Sequence, residues 1–193
     1  MDLFDLDTDL KQWDRGLYRM TLFVPDRKRA AYVAVLHLFT SLIRIVENPH
    51  ESLLVPIRLQ WWRDWLTDIY HQPQGGHGLP QEPIFTASVD FTLLDQLLER
   101  FVDGWEFQEF SGAGAALFRL VEQLDGTNPS SPDQLTSWSS AWMHRRYALA
   151  TAGNGERGGS PMSKSVALLH CLGPRQHSGL AEMIRLVRCS IWH

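Results

Sequence analysis

Two sets of carboxylates sit at spacings that chemistry can use. Asp64 and Asp68 are four residues apart, and Asp95, Glu99 and Asp103 repeat at i, i+4 and i+8. On a helix such residues share one face, where paired carboxylates can hold a divalent cation. The same spacing is common on the solvated face of an amphipathic helix, so the pattern alone leaves both readings open. After residue 110 the acids are Glu122, Asp125, Asp133, Glu156 and Glu182, with no i, i+4 pair among them. Six arginines fall between residues 15 and 63: Arg15, Arg19, Arg29, Arg44, Arg58 and Arg63. A planar guanidinium fork suits phosphate oxygens better than a lysine ammonium does. Arg58 and Arg63 straddle the tryptophans of "VPIRLQWWRDWL". They serve equally well as anion ligands or as partners of Asp64 and other helices that also stack on the indoles. Trp61, Trp62 and Trp65 read as core and rim packing, because adjacent tryptophans on one helix cannot face the same cavity.

Other chemistries find little support. His71 and His77 lie among Gly and Pro with no carboxylate or cysteine at ligand spacing. Ser111 precedes Gly112 outside any GxSxG pattern. Cys171 and Cys189 form neither a CxxC nor a Cys/His array, which favours a reducing compartment. Arg145 and Arg146 in "HRRYALA" read as surface cations open to an anionic partner or a membrane surface. A formal net charge of −4 over 193 residues argues against a nucleic-acid-coating protein, and 44% hydrophobic with 21% charged residues is ordinary for one globular domain. The opening "MDLFDLDTDL" has four aspartates and no basic n-region, so it reads as neither a signal nor a transit peptide. The apolar run Ala30 to Ile43 is too short and too polar to span a bilayer. A cytoplasmic setting is expected, with peripheral attachment to an inner membrane as the alternative.

The elements that must position these residues are all helical. Asp14 caps a first short helix, and Pro25-Asp26 starts one that runs to about Val46, where Pro49 in "ENPHE" prevents continuation. Apolar residues cover nearly every face of that helix, which predicts that others surround it. Pro56 opens the tryptophan helix, expected to end near Tyr70, and "HQPQGGHGLPQEP" reads as a loop. Further helices are predicted at about 84–103, 109–125, 131–150 and 162–190, the last broken at Gly173-Pro174. Asp125-Gly126 is a helix stop, and "GNGERGGSPMS" a surface loop.

Taken together, "DRGLYRMTLFVPDRKRAAYVAVLHLF", "RIVENPHE" and "IRLQWWRDWL" resemble the squalene/phytoene synthase family, the head-to-head prenyl transferases, in order and spacing. "SGAGAALFRL" looks like that family's helix of small residues packed close to its neighbours. Residues 14–125 carry the likeness, and 126–193 carry it faintly. The resemblance implies an all-α bundle of the isoprenoid synthase type, shortened at its C-terminal end. Such enzymes ionise an allylic diphosphate with magnesium ions held between carboxylates and phosphate oxygens. It places Glu47 and Glu51 at the first metal-binding motif, as ExxxE with Pro49 inside, and offers Arg15, Arg44, Arg58 and Arg63 to the diphosphate. No second aspartate cluster is visible. The erosion resembles a non-catalytic branch, similar to mitochondrial complex I assembly factors, that keeps the fold. The expectation is therefore a family member that binds a prenyl diphosphate, an isoprenoid lipid, a protein partner or a membrane surface. The alternative is an active magnesium-dependent prenyl transferase of isoprenoid biosynthesis.

Overall fold

A computed structural model describes residues 3–71 and 82–147, and everything between and beyond them lies outside the description. Most of the loop expected at 71–83, the loop "GNGERGGSPMS", the helix expected at 162–190 and the residues His77, Cys171 and Cys189 fall there. Among the described residues there are eight α-helices, one 3-10 helix and no strand, an all-α arrangement as expected.

The chain opens with α1 (Leu3–Trp13), which the sequence reading did not anticipate. Leu6 and Leu10, one turn apart, are both fully buried and seat it against the body. Asp14 then caps α2 (Arg15–Thr21), its Oδ1 accepting from the Leu17 N–H at 2.9 Å. The helix expected first is thus the second.

Pro25 precedes α3 (Asp26–Val46), whose bounds match the expectation. Every residue from Ala31 to Thr40 is buried, so all faces of this stretch meet protein. That placement needs its polar groups satisfied internally. Thr40 Oγ1 lies within hydrogen-bonding distance of the Leu36 and His37 carbonyls (3.0 and 2.9 Å), and Ser41 donates to the His37 carbonyl at 2.8 Å. By length and composition α3 is apolar enough to cross a bilayer, yet it is the core helix here, packed against α1 and α2 and against helices that follow it.

After α3 the backbone tightens into a 3-10 helix, Pro49–Leu54, and reopens as α4 (Val55–His71). Trp65 is buried, Trp62 half-buried and Trp61 48% exposed. Their rings form an edge-to-face ladder, Trp61 to Trp62 at 5.1 Å and Trp62 to Trp65 at 5.2 Å, that passes to Phe85 at 6.0 Å. The three indoles therefore run from rim to core, as their adjacency required.

One helix was expected over 84–103; two are found, α5 (Glu82–Ser88) and α6 (Phe91–Phe107). The break comes from Asp90, whose side chain accepts from the Thr92 N–H at 2.7 Å and starts a new helix. Tyr70 reinforces it from α4, its hydroxyl lying 2.8 Å from the carbonyls of both Phe85 and Val89 at the end of α5. Burial first, and then the nearby Asp90 carboxylate, push the Tyr70 phenol well above its ordinary pKa and keep it a donor.

The remaining pair packs most closely. In α7 (Ser111–Asp125) a Cβ on Gly114 would stand 2.7 Å from Met143 Cγ and 2.9 Å from Ser139 Cβ, so only glycine lets α8 (Pro132–Tyr147) approach this near. Gly126, at φ 72°, ends α7 and donates to the Glu122 and Gln123 carbonyls, the helix stop read from the sequence. Ser131 and Gln134 bond reciprocally at 3.3 Å, a capping box with Pro132 in the first helical position. Phe39 of α3 joins the halves: its ring lies 5.5 Å from Phe101, 5.7 Å from Trp142 and 5.8 Å from Tyr147.

Candidate functional site

The residues that the family resemblance assigns to metal and diphosphate come from the ends of α2 and α3, from the 3-10 helix and from α4. Glu47 is the C-cap of α3, its N–H donating to the Ile43 carbonyl, and Glu51 belongs to the 3-10 helix that follows. Pro49 opens that 3-10 helix, so the disturbance expected from it is a complete change of helix type. The two glutamates therefore do not share one α-helical face, the arrangement on which an i, i+4 metal clamp depends.

The other acids go to different uses. Arg63 Nε of α4 meets Asp95 Oδ1 of α6 at 3.1 Å, which ties one acid of the Asp95–Glu99–Asp103 set into a bridge between helices. Asp64 accepts from Gln60 at 2.7 Å within α4, and Asp103 pairs with Arg100 at 3.2 Å within α6, both at the surface. Among the described residues no three His, Cys, Asp or Glu side chains gather closely enough to hold a metal ion.

The four arginines expected at a diphosphate come from three helices. Arg15 is exposed in the first turn of α2. Arg44, exposed in the last turn of α3, lies over the Trp13 ring at 4.2 Å. Its guanidinium is placed there by a cation–π contact. Arg58 is exposed near the start of α4, and Arg63 is the partner of Asp95.

Beside Arg44 lies a group that sequence reasoning missed. His37 of α3 is 6% exposed, its ring 4.8 Å from Trp13, with Nε2 at 3.6 Å from Asp9 Oδ2 of α1. Burial lowers the His37 pKa below its ordinary 6.5; attraction to Asp9 opposes this only in part, and the Arg44 charge adds to the lowering. The imidazole is held neutral at pH 7. The sequence held no sign of it, because Asp9 and His37 meet only when α1 folds back on α3.

A second group corrects the reading of "HRRYALA". Arg145 is exposed, but Arg146 is buried, and its guanidinium grips the Asp14 carboxylate through Nη2 and, at 3.1 Å, through Nε. The Tyr147 hydroxyl donates to Asp14 Oδ2 at 3.1 Å. Asp14 is thus a helix cap and the anchor of α8 at once. Glu122, also buried, receives Arg119 at 3.1 Å and Ser130 and holds the turn after α7. Tyr32 of α3 donates to Asp125 across the same end of the bundle. These buried charges are matched to partners and hold helices together. Compared with family models, curated proteins and solved structures, the chain matches none.

Proposed function

We propose that this chain is a non-catalytic member of the squalene/phytoene synthase type, resembling the branch that includes mitochondrial complex I assembly factors, and that it works by binding. One observation carries the proposal. The carboxylate pair that the resemblance assigns to the first metal is divided between the cap of α3 and a 3-10 helix. Ionising an allylic diphosphate needs preorganised positive charge against the leaving group, and metal ions clamped by facing carboxylates normally provide it. An arginine can hold the diphosphate in the ground state, but equal binding of ground and transition states accelerates nothing. The ligand class is a prenyl diphosphate or the isoprenoid lipid derived from it.

The test is purified protein with magnesium and farnesyl or geranylgeranyl diphosphate, extracted and assayed for coupled hydrocarbon. No squalene or phytoene is expected. In parallel, farnesyl diphosphate should raise the melting temperature in a concentration-dependent way, since a ligand that binds only the folded state stabilises it by RT ln(1 + [L]/Kd). Steady multiple-turnover coupling that disappears in the Glu47→Ala/Glu51→Ala variant would instead establish the active prenyl transferase.

A further inference from the structure

Contacts between α1 and α3 converge on one ring. Trp13, at the end of α1, lies 4.8 Å from the His37 ring and 4.2 Å from the Arg44 guanidinium carbon. His37 and Arg44 stand seven positions apart, two turns along one face of α3. One indole therefore covers an imidazole and a cation together. Asp9, one turn before Trp13, brings Oδ2 to 3.6 Å from His37 Nε2. On this side, what shields the buried His37 from water is α1 itself. Leu6 and Leu10 add apolar burial, whereas the Asp7–Arg29 pair at 3.3 Å and Lys11 over Tyr18 at 5.7 Å lie partly in solvent, where such contacts are worth little. The helix ends at Asp14, whose backbone leaves the helical region (φ −148°, ψ 89°) and whose carboxylate is fixed to Arg146. A non-helical joint thus separates α1 from the anchored part of the chain.

We propose that α1 is an acid-released latch: on mild acidification it swings off α3 about Asp14 while the body of the bundle stays folded. A proton on His37 places a second cation against the Trp13 ring, beside Arg44, in a site that α1 keeps dry. Across the helices packed on α3, the charged groups that act on His37 among the described residues are Asp9 of α1 and Arg44 of α3 itself. Asp9 attracts the charged ring, but the loss of hydration outweighs that attraction and Arg44 opposes it, so the docked helix disfavours the proton. Lifting α1 returns water to His37 and frees Arg44 from its stack on Trp13. The undocked form then binds the proton more tightly, and by linkage acid shifts the balance toward it. Above about pH 6.5 the latch keeps its full hold, which weakens as pH falls from there toward the docked value. Release turns Leu6, Leu10 and the part of α3 beneath them toward solvent, so acid governs how much apolar surface this end of the bundle presents.

The latch is independent of prenyl diphosphate binding, and either can fail alone. Amide hydrogen exchange of the full chain, without ligand, is read by peptide mass spectrometry at pH 7.5 and 5.5 and corrected for the intrinsic rate at each pH. On going to pH 5.5 the amides of α1 should exchange about threefold to tenfold faster, while those of α6 and α7 keep their protection. Tenfold is about the ceiling for one proton taken up by a histidine of ordinary pKa near 6.5 in the open form. His37→Gln should flatten the ratio between the two pH values. Arg44→Gln, made at an exposed position, should reduce that ratio, because without the cation the docked His37 accepts a proton more readily. An unchanged α1 rate in the parent, or a ratio that His37→Gln keeps in full, overturns the proposal. So does loosening of α1 only in step with α6 and α7, which is unfolding of the whole bundle. A ratio in Arg44→Gln equal to or above the parent's also overturns it, and this variant decides alone should His37→Gln not fold.

Discussion

At the scale of single residues, the buried charges decide most. Arg146 and Asp14 are each about 1% exposed in their side chains, so removing one leaves the other ionised in the interior. Arg146→Met should lower the unfolding free energy by about 3–5 kcal/mol, and Asp14→Leu/Arg146→Met should recover part of that loss, because a matched apolar pair strands no charge. Urea denaturation of the two variants checks the order. His37 sets a different expectation. Its folded pKa lies below the ordinary value near 6.5, so the unfolded chain binds a proton more readily. The His37 contribution is fully present above about pH 6.5 and is lost as pH falls from there toward the folded value. His37→Gln should therefore show a smaller fall in stability between pH 7.5 and 5 than the parent, measured by chemical denaturation at each pH. An equal fall in both would place the sensitive group elsewhere. Of these residues, Asp14 was legible as a cap because a cap is a local matter. Its grip on Arg146 was not, since nothing local marks a partner 132 positions away.

At the scale of elements, legibility followed punctuation. Pro25 and Pro49 bracket α3, and its limits could be read closely. The break before α6 depends on Asp90, an N-cap that carries no proline or glycine to announce it, and on a tyrosine from another helix. The tight seam between α7 and α8 was hinted at by "SGAGAALFRL", but its small residues are not equivalent. A Cβ at Gly114 would press on Met143 and on Ser139 Cβ, whereas at Gly112 it would meet only the Arg100 side chain, its Cδ at 3.0 Å. Gly114→Ala should cost about 1–3 kcal/mol through overpacking. Gly112→Ala should be neutral or stabilise by up to about 1 kcal/mol, because alanine loses less entropy in a helix. Thermal melts of the two single variants decide between a specific seam and a general demand for small residues.

At the scale of the whole molecule, α3 is the element around which the others are arranged. Leu36 and Phe39 are fully buried in it, and Phe39 alone reaches rings on α6 and α8. Either residue changed to alanine should cost roughly 2–5 kcal/mol. Two unshifted melting curves would contradict the central position of this helix. The all-α bundle was readable because the hydrophobic period of α3 left no side for solvent. The candidate site was readable only as residue types. Whether Glu47 and Glu51 face together depends on how the backbone passes Pro49, and which acid meets Arg63 depends on how α4 crosses α6.

The Asp14–Arg146 contact also has a bearing on time. A ribosome delivers Asp14 132 positions before Arg146, with all of α2 to α7 made in between. Until then the carboxylate has its own helix N-terminus to face but not this cation. Local helices can form early, yet this pairing spans 132 positions and belongs to the slow, long-range part of folding. The nascent chain therefore cannot close this contact until α8 has been translated.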